Sequence, residues 1–303
     1  MSFVELIKPG TTIDFVHYSK WALVFSVLLV LLGLASLWYH GGPNYGVDFV
    51  GGTVVQVKFT QPTSVADIHQ ALAAANIANI TVQDFGQGGN EFLIRIPVTE
   101  AGTEGLSGQI QQGLAGKFGE QAFEVRRLET VGPKVGKDLR RKAMLAVLFS
   151  TVMMGVYIAF RFEPRFGVGA AVALLHDVLI TAGALSMTNM EFDLTVVAAL
   201  LTVVGFSVND TVIVCDRIRE NMRKLRRDSL TAIINRSINE TLSRTIITTG
   251  TAVLVIIALL FLGGEVIHAF AFALLVGFTI GTYSSIYVAS PIVLLWEKEG
   301  KRR

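Results

Sequence analysis

The chain has 303 residues, 51% of them hydrophobic and only 17% charged, with a mean hydropathy of +0.54. Soluble domains carry about 25% charged residues, so the composition excludes an ordinary soluble enzyme and a disordered chain. The 26 basic and 24 acidic residues leave a net charge of +2, which gives no support to nucleic-acid binding, and the single cysteine, Cys215, excludes an internal disulfide.

Residues 1–20 carry Lys8 and Lys20 and lead into the first long apolar run, 21–39. That run exceeds a signal-peptide core of about 7–15 residues, and Leu37, Trp38 and Tyr39 do not suit a small-residue cleavage site. It is expected to be an uncleaved anchor with Trp21, Trp38 and Tyr39 at the interfaces.

Residues 40–142 form a domain-sized polar segment. It opens on Asn44-Tyr45-Gly46-Val47-Asp48-Phe49-Val50-Gly51-Gly52-Thr53, which reads on residue physics as a tight turn feeding a strand, with Asp48 capping it. Val55, Val57 and Phe59 alternate with polar residues as a strand. Residues 65–75 place Val65, Ile68, Leu72 and Ala75 on one helical face behind Ser64. A strand at 80–85, a turn at 86–90, a strand through Phe92, Ile94 and Ile96, a helix at 106–118 and a strand from Phe123 follow. The order β-α-β-β-α-β is the ferredoxin-like one, giving a single α+β domain. It holds no metal-ligand cluster, nucleophile elbow or phosphate loop, so neither a cofactor nor catalysis is expected there.

Five further apolar runs follow at 143–160, 166–190, 194–214, 246–262 and 269–296. Each is long enough to cross about 30 Å of hydrocarbon as a helix. The chain is therefore expected to be a polytopic α-helical membrane protein of six transmembrane helices, with a five-helix bundle over 143–296 and a tail at 297–303. With the N-terminus inside, the cytoplasmic pieces hold fifteen Lys and Arg, seven of them in the basic loop 215–243. The outside loops 191–193 and 263–268 hold none. Both termini are thus expected in the cytoplasm and residues 40–142 outside, although Lys134, Lys137, Arg140, Arg141 and Lys142 oppose the trend. The loop reads as an interfacial helix on anionic lipid or as a docking surface.

Ionisable groups inside membrane runs are costly and are functional candidates. Asp177, beside His176, lies mid-run. Asp210 lies four residues from the cytoplasmic end of its run, and Arg244 enters the next run from the same side, so the two can meet at similar depth. Ser207 shares the Asp210 face, Asn209 and Thr245 adjoin the pair, and Thr241, Arg244, Thr248 and Thr251 make one polar stripe. An acid in low dielectric beside a guanidinium suits alternating protonation. The bland readings stay open: a snorkelling Arg244, a structural Asp210, a static hydrogen-bond role for Asp177 and an interfacial His268. Gly277 and Gly281, extended by Ser285, are a small-residue face for close helix packing.

Several ordered motifs resemble the SecD/SecF family of protein-export membrane proteins, and among them the SecF-type subunit, within the RND superfamily. They are NYGVDFVGGT at 44–53, VGPKVGKDLRRKA at 131–143, FRFEPRFGVGAAVALLHDVLIT at 160–181, GFSVNDTVIVCDRIREN at 205–221, SINETLSRTIITTGTA at 237–252 and the segment 270–297. The resemblance spans about 14–296, with Phe206 standing where the family more usually has Tyr. It implies a six-span half of an RND-type core whose other half is SecD. It implies action beside the SecYEG channel on translocating unfolded polypeptide in the inner (plasma) membrane, driven by the proton-motive force. The intramembrane acid–Arg arrangement of that family falls on Asp210 and Arg244. A half-transporter for small hydrophobic molecules or lipids is the alternative; it predicts a deep apolar pocket in the outside domain.

Overall fold

The computed structural model describes residues 12–75, 77, 80–84, 89–97 and 106–300. Residues 85–88, which take in the end of the 80–85 strand and most of the 86–90 turn, lie outside the described residues, as do the extreme termini. The first helix, α1 (Phe15–Tyr39), starts six residues before the apolar run because Asp14 caps it, its carboxylate accepting the His17 N–H at 3.1 Å.

A one-turn helix, α2 (Val47–Val50), leads into the small domain. There β1 (Gly52–Phe59), α3 (Val65–Ala74), β2 (Thr81–Asp84), β3 (Glu91–Pro97), α4 (Leu106–Phe118) and β4 (Phe123–Val131) follow in the expected order. The sheet runs β2-β3-β1-β4, antiparallel throughout, with Val57 opposite Phe92 on one side and Val125 on the other. This is the ferredoxin-like arrangement. Strand alternation sends Val55, Val57, Phe59, Phe92, Ile94 and Ile96 to one face, where Ile68, Leu72, Ile110 and Leu114 of the helices cover them. Ser64 caps α3 as expected, accepting the Asp67 N–H.

Six helices among the described residues are long and apolar enough to cross a membrane. They are α1, α5 (Pro133–Arg161), α6 (Pro164–Met187), α7 (Leu194–Lys224), α8 (Leu230–Leu262) and the pair α9 (His268–Ser284) and α10 (Ser290–Gly300). Helices α6 and α7 form the centre: 56% of the apolar stretch is buried in each, against 11% in α1 and 17% in α8. A π-helical stretch, Ser285–Ala289, joins α9 to α10. Pro291 has no N–H to return to the Tyr287 carbonyl, and the Ser290 hydroxyl bonds the Ser285 carbonyl instead, so the turn widens.

Two helices outrun their apolar segments. At 1.5 Å per residue α7 is about 46 Å long and α8 about 50 Å, well beyond roughly 30 Å of hydrocarbon. Their polar ends form a helical hairpin, so 215–243 is mostly two helix extensions joined by a short turn rather than a separate interfacial loop. Asn221 donates to Ser237 and Glu240, and Glu240 also meets Arg217 and Arg236. Asn235 and Asn239 of this hairpin receive the backbone N–H groups of Phe15 and Ile13, which fixes where α1 begins. Likewise α5 starts at Pro133, so the opposing basic cluster at 134–142 is the polar first part of that helix.

Candidate functional site

The interior acids sit on the two central helices. Asp210 on α7 is 1% exposed and Asp177 on α6 is fully buried. Their surroundings differ. Asp177 is saturated: its Oδ2 accepts Ser207 Oγ at 2.6 Å and Ser284 Oγ at 2.8 Å, and its Oδ1 lies 2.9 Å from His176 Nδ1. One carboxyl thus ties α6 to α7 and α9. Asp210 is held loosely. Its Oδ2 is 3.4 Å from the hydroxyls of both Thr249 on α8 and Thr282 on α9, which are 2.7 Å from each other. Its Oδ1 is buried with no hydrogen-bond partner among the described residues. No described side chain offsets the desolvation of that oxygen.

The expected pairing of Asp210 with Arg244 is not formed. Arg244 is exposed on α8 and makes no ion pair with either acid among the described residues. The reason is helical phase. The buried hydroxyls of α8 are Thr241, Thr245 and Thr249, spaced by four, whereas Arg244 and Thr251 lie on the exposed side and Thr248 is half-buried. The sequence stripe through Thr241, Arg244, Thr248 and Thr251 therefore straddles two faces. Thr245 does point inward, and its Oγ1 has no partner among the described residues. Ser207 faces inward too, but serves Asp177 rather than Asp210. Asn209 is exposed on α7.

Sequence reasoning missed Thr249, Thr282 and Ser284. A four-residue repeat of Thr on α8, continued from Thr241, was the available signal; Thr282 and Ser284 had none, because only tertiary packing aims them at the acids.

The Gly277 and Gly281 face behaves as expected. It lies on α7, where a Cβ on Gly277 would fall 2.2 Å from Val203 Cγ2 and one on Gly281 3.0 Å from Ser207 Cβ. Phe206 stacks flat on Phe278, with centroids 3.8 Å apart.

The 44–53 motif is a joint between the domain and the bundle. Gly46 N–H donates to the Phe192 carbonyl at 2.9 Å, and Phe192 N–H donates to the Asn44 carbonyl at 2.7 Å. Asn44 Nδ2 reaches the Asn189 carbonyl, and Arg95 on β3 forms an ion pair with Glu191. Asp48 does not cap its own turn. Its carboxylate accepts the Leu194 N–H at 3.1 Å, capping α7 from outside. Gly51 has φ +87°, a conformation that side chains resist, and packs on Pro133; Gly52 has φ +143°. Where α5 passes, Gly136 leaves room for the Phe49 carbonyl. The connection between α6 and α7 is thereby tied both to the motif and to the sheet.

No group of three or more His, Cys, Asp or Glu that could hold a metal occurs among the described residues.

These features define a polytopic membrane protein with an acid-bearing helical core and one ferredoxin-like domain riding on it. The family described as protein export membrane protein SecD/SecF, C-terminal, matches residues 112–299, and the SecD/SecF GG motif matches residues 37–63. The chain belongs to the SecD/SecF family of protein-export membrane proteins. It is 46% identical to the protein translocase subunit SecF of Vibrio alginolyticus, covering 96% of this chain and 91% of that one. It is 47% identical to the protein of the same description from Magnetococcus marinus, over 99% and 97% of the two chains, and 40% identical to that of Escherichia coli O157:H7, over 96% and 90%. The fold matches the crystal structure of SecDF, a translocon-associated membrane protein from Thermus thermophilus, with TM-score 0.81 and 38% identity, covering 95% of this chain. It also matches SecDF in a super-membrane-facing form, with TM-score 0.72 and 37% identity over 98% of this chain. The chain spans only about two fifths of either SecDF chain, 39% and 40%.

Proposed function

We propose that this chain is the SecF-type subunit of a Sec translocase accessory complex, which pairs with a SecD-type half and uses the proton-motive force to promote export of unfolded polypeptide through a SecYEG channel. Asp210 is the proton carrier, Arg244 the cation that biases it, and Asp177 a second acid of the same core. The chain itself is not an enzyme and needs no cofactor. It sits in the inner membrane with both termini in the cytoplasm and the ferredoxin-like domain outside.

One observation carries the reading: Asp210 is buried in the centre of the bundle with one carboxyl oxygen unpartnered among the described residues and the other held only by two long threonine contacts. Asp177, by contrast, has both carboxyl oxygens engaged by close side-chain partners. Weak, exchangeable partners suit an acid that changes protonation, because ionised and neutral forms want different ones. The exposure of Arg244, Asn209 and Thr251 on apolar helices fits a neighbouring half that covers them, since uncovered polar groups facing lipid are costly. The SecDF chains, of which this one spans about two fifths, leave room for such a half.

The small-molecule exporter is not favoured. The hollow on the domain between α3 and α4, about 680 Å³, is lined by Gln70, Gln109, Gln112 and Lys117 beside alanines, not by a deep apolar wall.

The test is gradient-dependent export in vesicles. Asp210→Asn keeps the shape and removes titration; it inserts and assembles but loses proton-driven export. Export at the wild-type rate with the gradient dependence intact refutes the assignment.

A further inference from the structure

His176 lies beside Asp177 on α6 and is 8% exposed. Its two ring nitrogens have opposite circumstances. Nδ1 is 2.9 Å from Asp177 Oδ1, while Nε2 is buried and has no partner among the described residues. The ring stacks on Tyr283 of α9, with centroids 6.4 Å apart at 22°. The Tyr283 hydroxyl cannot serve Nε2, because it already donates to the Ala22 carbonyl at 2.5 Å and accepts from Ser26 at 3.1 Å.

The hydrogen-bond directions leave a place for a proton on the acid. Ser207 donates to Oδ2 at 2.6 Å, and the one Ser284 hydroxyl proton is shared between Oδ2 at 2.8 Å and the Gly281 carbonyl at 3.1 Å. A proton on Oδ1 lies in the bond shared with His176 and leaves both serine contacts at Oδ2 in place. Two states share this geometry: carboxylate with the imidazole protonated at Nδ1, and carboxylic acid with the imidazole protonated at Nε2. Either leaves Nε2 looking for a partner, first as acceptor and then as donor.

We propose that His176 and Asp177 form a second proton-holding site, distinct from Asp210, with His176 as its loading group. A proton taken from water at Nε2 makes an imidazolium; Nδ1–H then passes its proton to Oδ1. The products are a neutral imidazole protonated at Nε2 and a neutral carboxylic acid. One proton enters, none is lost and the pair goes from charge −1 to 0. Release reverses each step.

The groups facing the pair are few. From α7 come Ser207 and, three residues further along the helix, the Asp210 carboxyl. From α9 come Ser284 and Tyr283, with Tyr287 of the π-helical stretch beyond, its ring 5.1 Å from that of Tyr283. From α1 come the Ser26 hydroxyl and the Ala22 carbonyl, through Tyr283. α5 packs on α6 through Gly155 and Gly167; its charged residues lie at its two ends, from Lys134 to Lys142 and at Arg161, and Tyr157 is exposed. α10 brings Val293 to Gly169. No Lys or Arg forms an ion pair with Asp177 among the described residues, so His176 is the group that can neutralise it.

The position of the pair also links it to the first acid. Ser207 and Asp210 share α7, and Ser284 and Thr282 share α9. Loading Asp177 weakens what it asks of Ser207 and Ser284, and loosens the helices that also hold Asp210.

This inference rests on the proton-driven reading above. The experiment uses the full chain with its SecD-type partner in vesicles, in four forms: wild type, His176→Asn, Asp177→Asn and Asp210→Asn. The amide of the His176→Asn variant still donates an N–H to Asp177 but offers no second ring nitrogen to load. Infrared difference spectra between high and low pH give the first readout. A carboxylic-acid C=O band that disappears in Asp177→Asn and titrates at a different pH in His176→Asn is expected. Gradient-driven export is the second, and His176→Asn is expected to lose it at matched protein level. The absence of any such band in wild type, or a band whose titration His176→Asn leaves unmoved, overturns the proposal even if the variant proves unstable. So does wild-type export with a wild-type pH profile in His176→Asn while Asp210→Asn is dead. Gradient-dependent export by Asp210→Asn is the separate result that sinks the underlying reading, and this inference with it.

Discussion

Gly277→Ala adds one methyl at the crossing of α9 and α7. The new carbon falls 2.2 Å from Val203 Cγ2, 2.8 Å from Cγ1 and 3.0 Å from Cβ. Ordinary carbon contacts begin near 3.4 Å, so the clash is about 1.2 Å deep. Val203 cannot turn away, because a β-branched side chain in a helix has one strongly preferred rotamer and Cβ itself is in contact. The helices must separate. Ser207 lies one turn along α7 and Ser284 two turns along α9, and the hydroxyls of both meet Asp177 of α6, which bridges the two helices. Overpacking costs about 1–3 kcal/mol, and two weakened hydrogen bonds add about 1 kcal/mol, for a loss of about 2–4 kcal/mol. Reversible unfolding in mixed micelles measures it. Val203→Ala removes the atoms in the way, so the double variant should recover most of the loss, with a coupling of about 1–3 kcal/mol in the cycle. Wild-type stability in Gly277→Ala, or additivity in the cycle, refutes the geometry.

Three further outcomes are expected. Gly183→Ala places a Cβ 2.6 Å from Gly33 Cα, backbone against backbone, so α1 should detach from α6 and an engineered cysteine crosslink between Ser36 and Ser186, whose hydroxyls are 3.0 Å apart, should fail to form. Asp48→Ala removes the acceptor for the Leu194 N–H, and the resulting loss of about 1 kcal/mol should appear as faster amide exchange at the start of α7, with the small domain's strands unaffected. Glu91 meets Lys58 and Arg126, and the Lys58 hydrogen bond holds its carboxyl below the ordinary 4.5. Because the folded value is the lower one, Glu91 stabilises the domain at neutral pH and that contribution fades as pH falls through the folded value. Glu91→Gln should therefore lower Tm at neutral pH and narrow the gap to wild type in acid; a gap that stays constant with pH counts against the pairing.

Topology needs a different probe from the native thiol. Cys215 is buried in the bundle core, so silence toward an impermeant reagent carries no information about sidedness. Cysteine placed at Arg226, in the turn between α7 and α8, should be unreactive from outside intact cells.

Element identity is legible in this sequence because it depends on local pattern. Period-2 alternation in the strands and long apolar runs in the spans state their structure without reference to neighbours. The same holds for the order β-α-β-β-α-β, for the acids at Asp177 and Asp210, and for the small-residue face at Gly277. What belongs to tertiary structure is the partnering. Polar helix ends extend α7 and α8 well past their apolar runs, because the hairpin from Asn221 to Glu240 hydrogen-bonds to itself and holds α1. In the sequence Arg244 is the natural partner of Asp210, because both enter the bundle at one depth. Depth follows from residue count, but direction follows from helical phase against neighbours, and there Thr249 wins the inward position. Ser207 shares a helix face with Asp210, yet a carboxyl on α6 lies closer. Asp48 is placed to cap its own turn, yet the open N–H of a helix 146 residues away is the one it meets. In each case the sequence supplies the donor or acceptor, and only the packing of helices remote in the chain decides which group it faces.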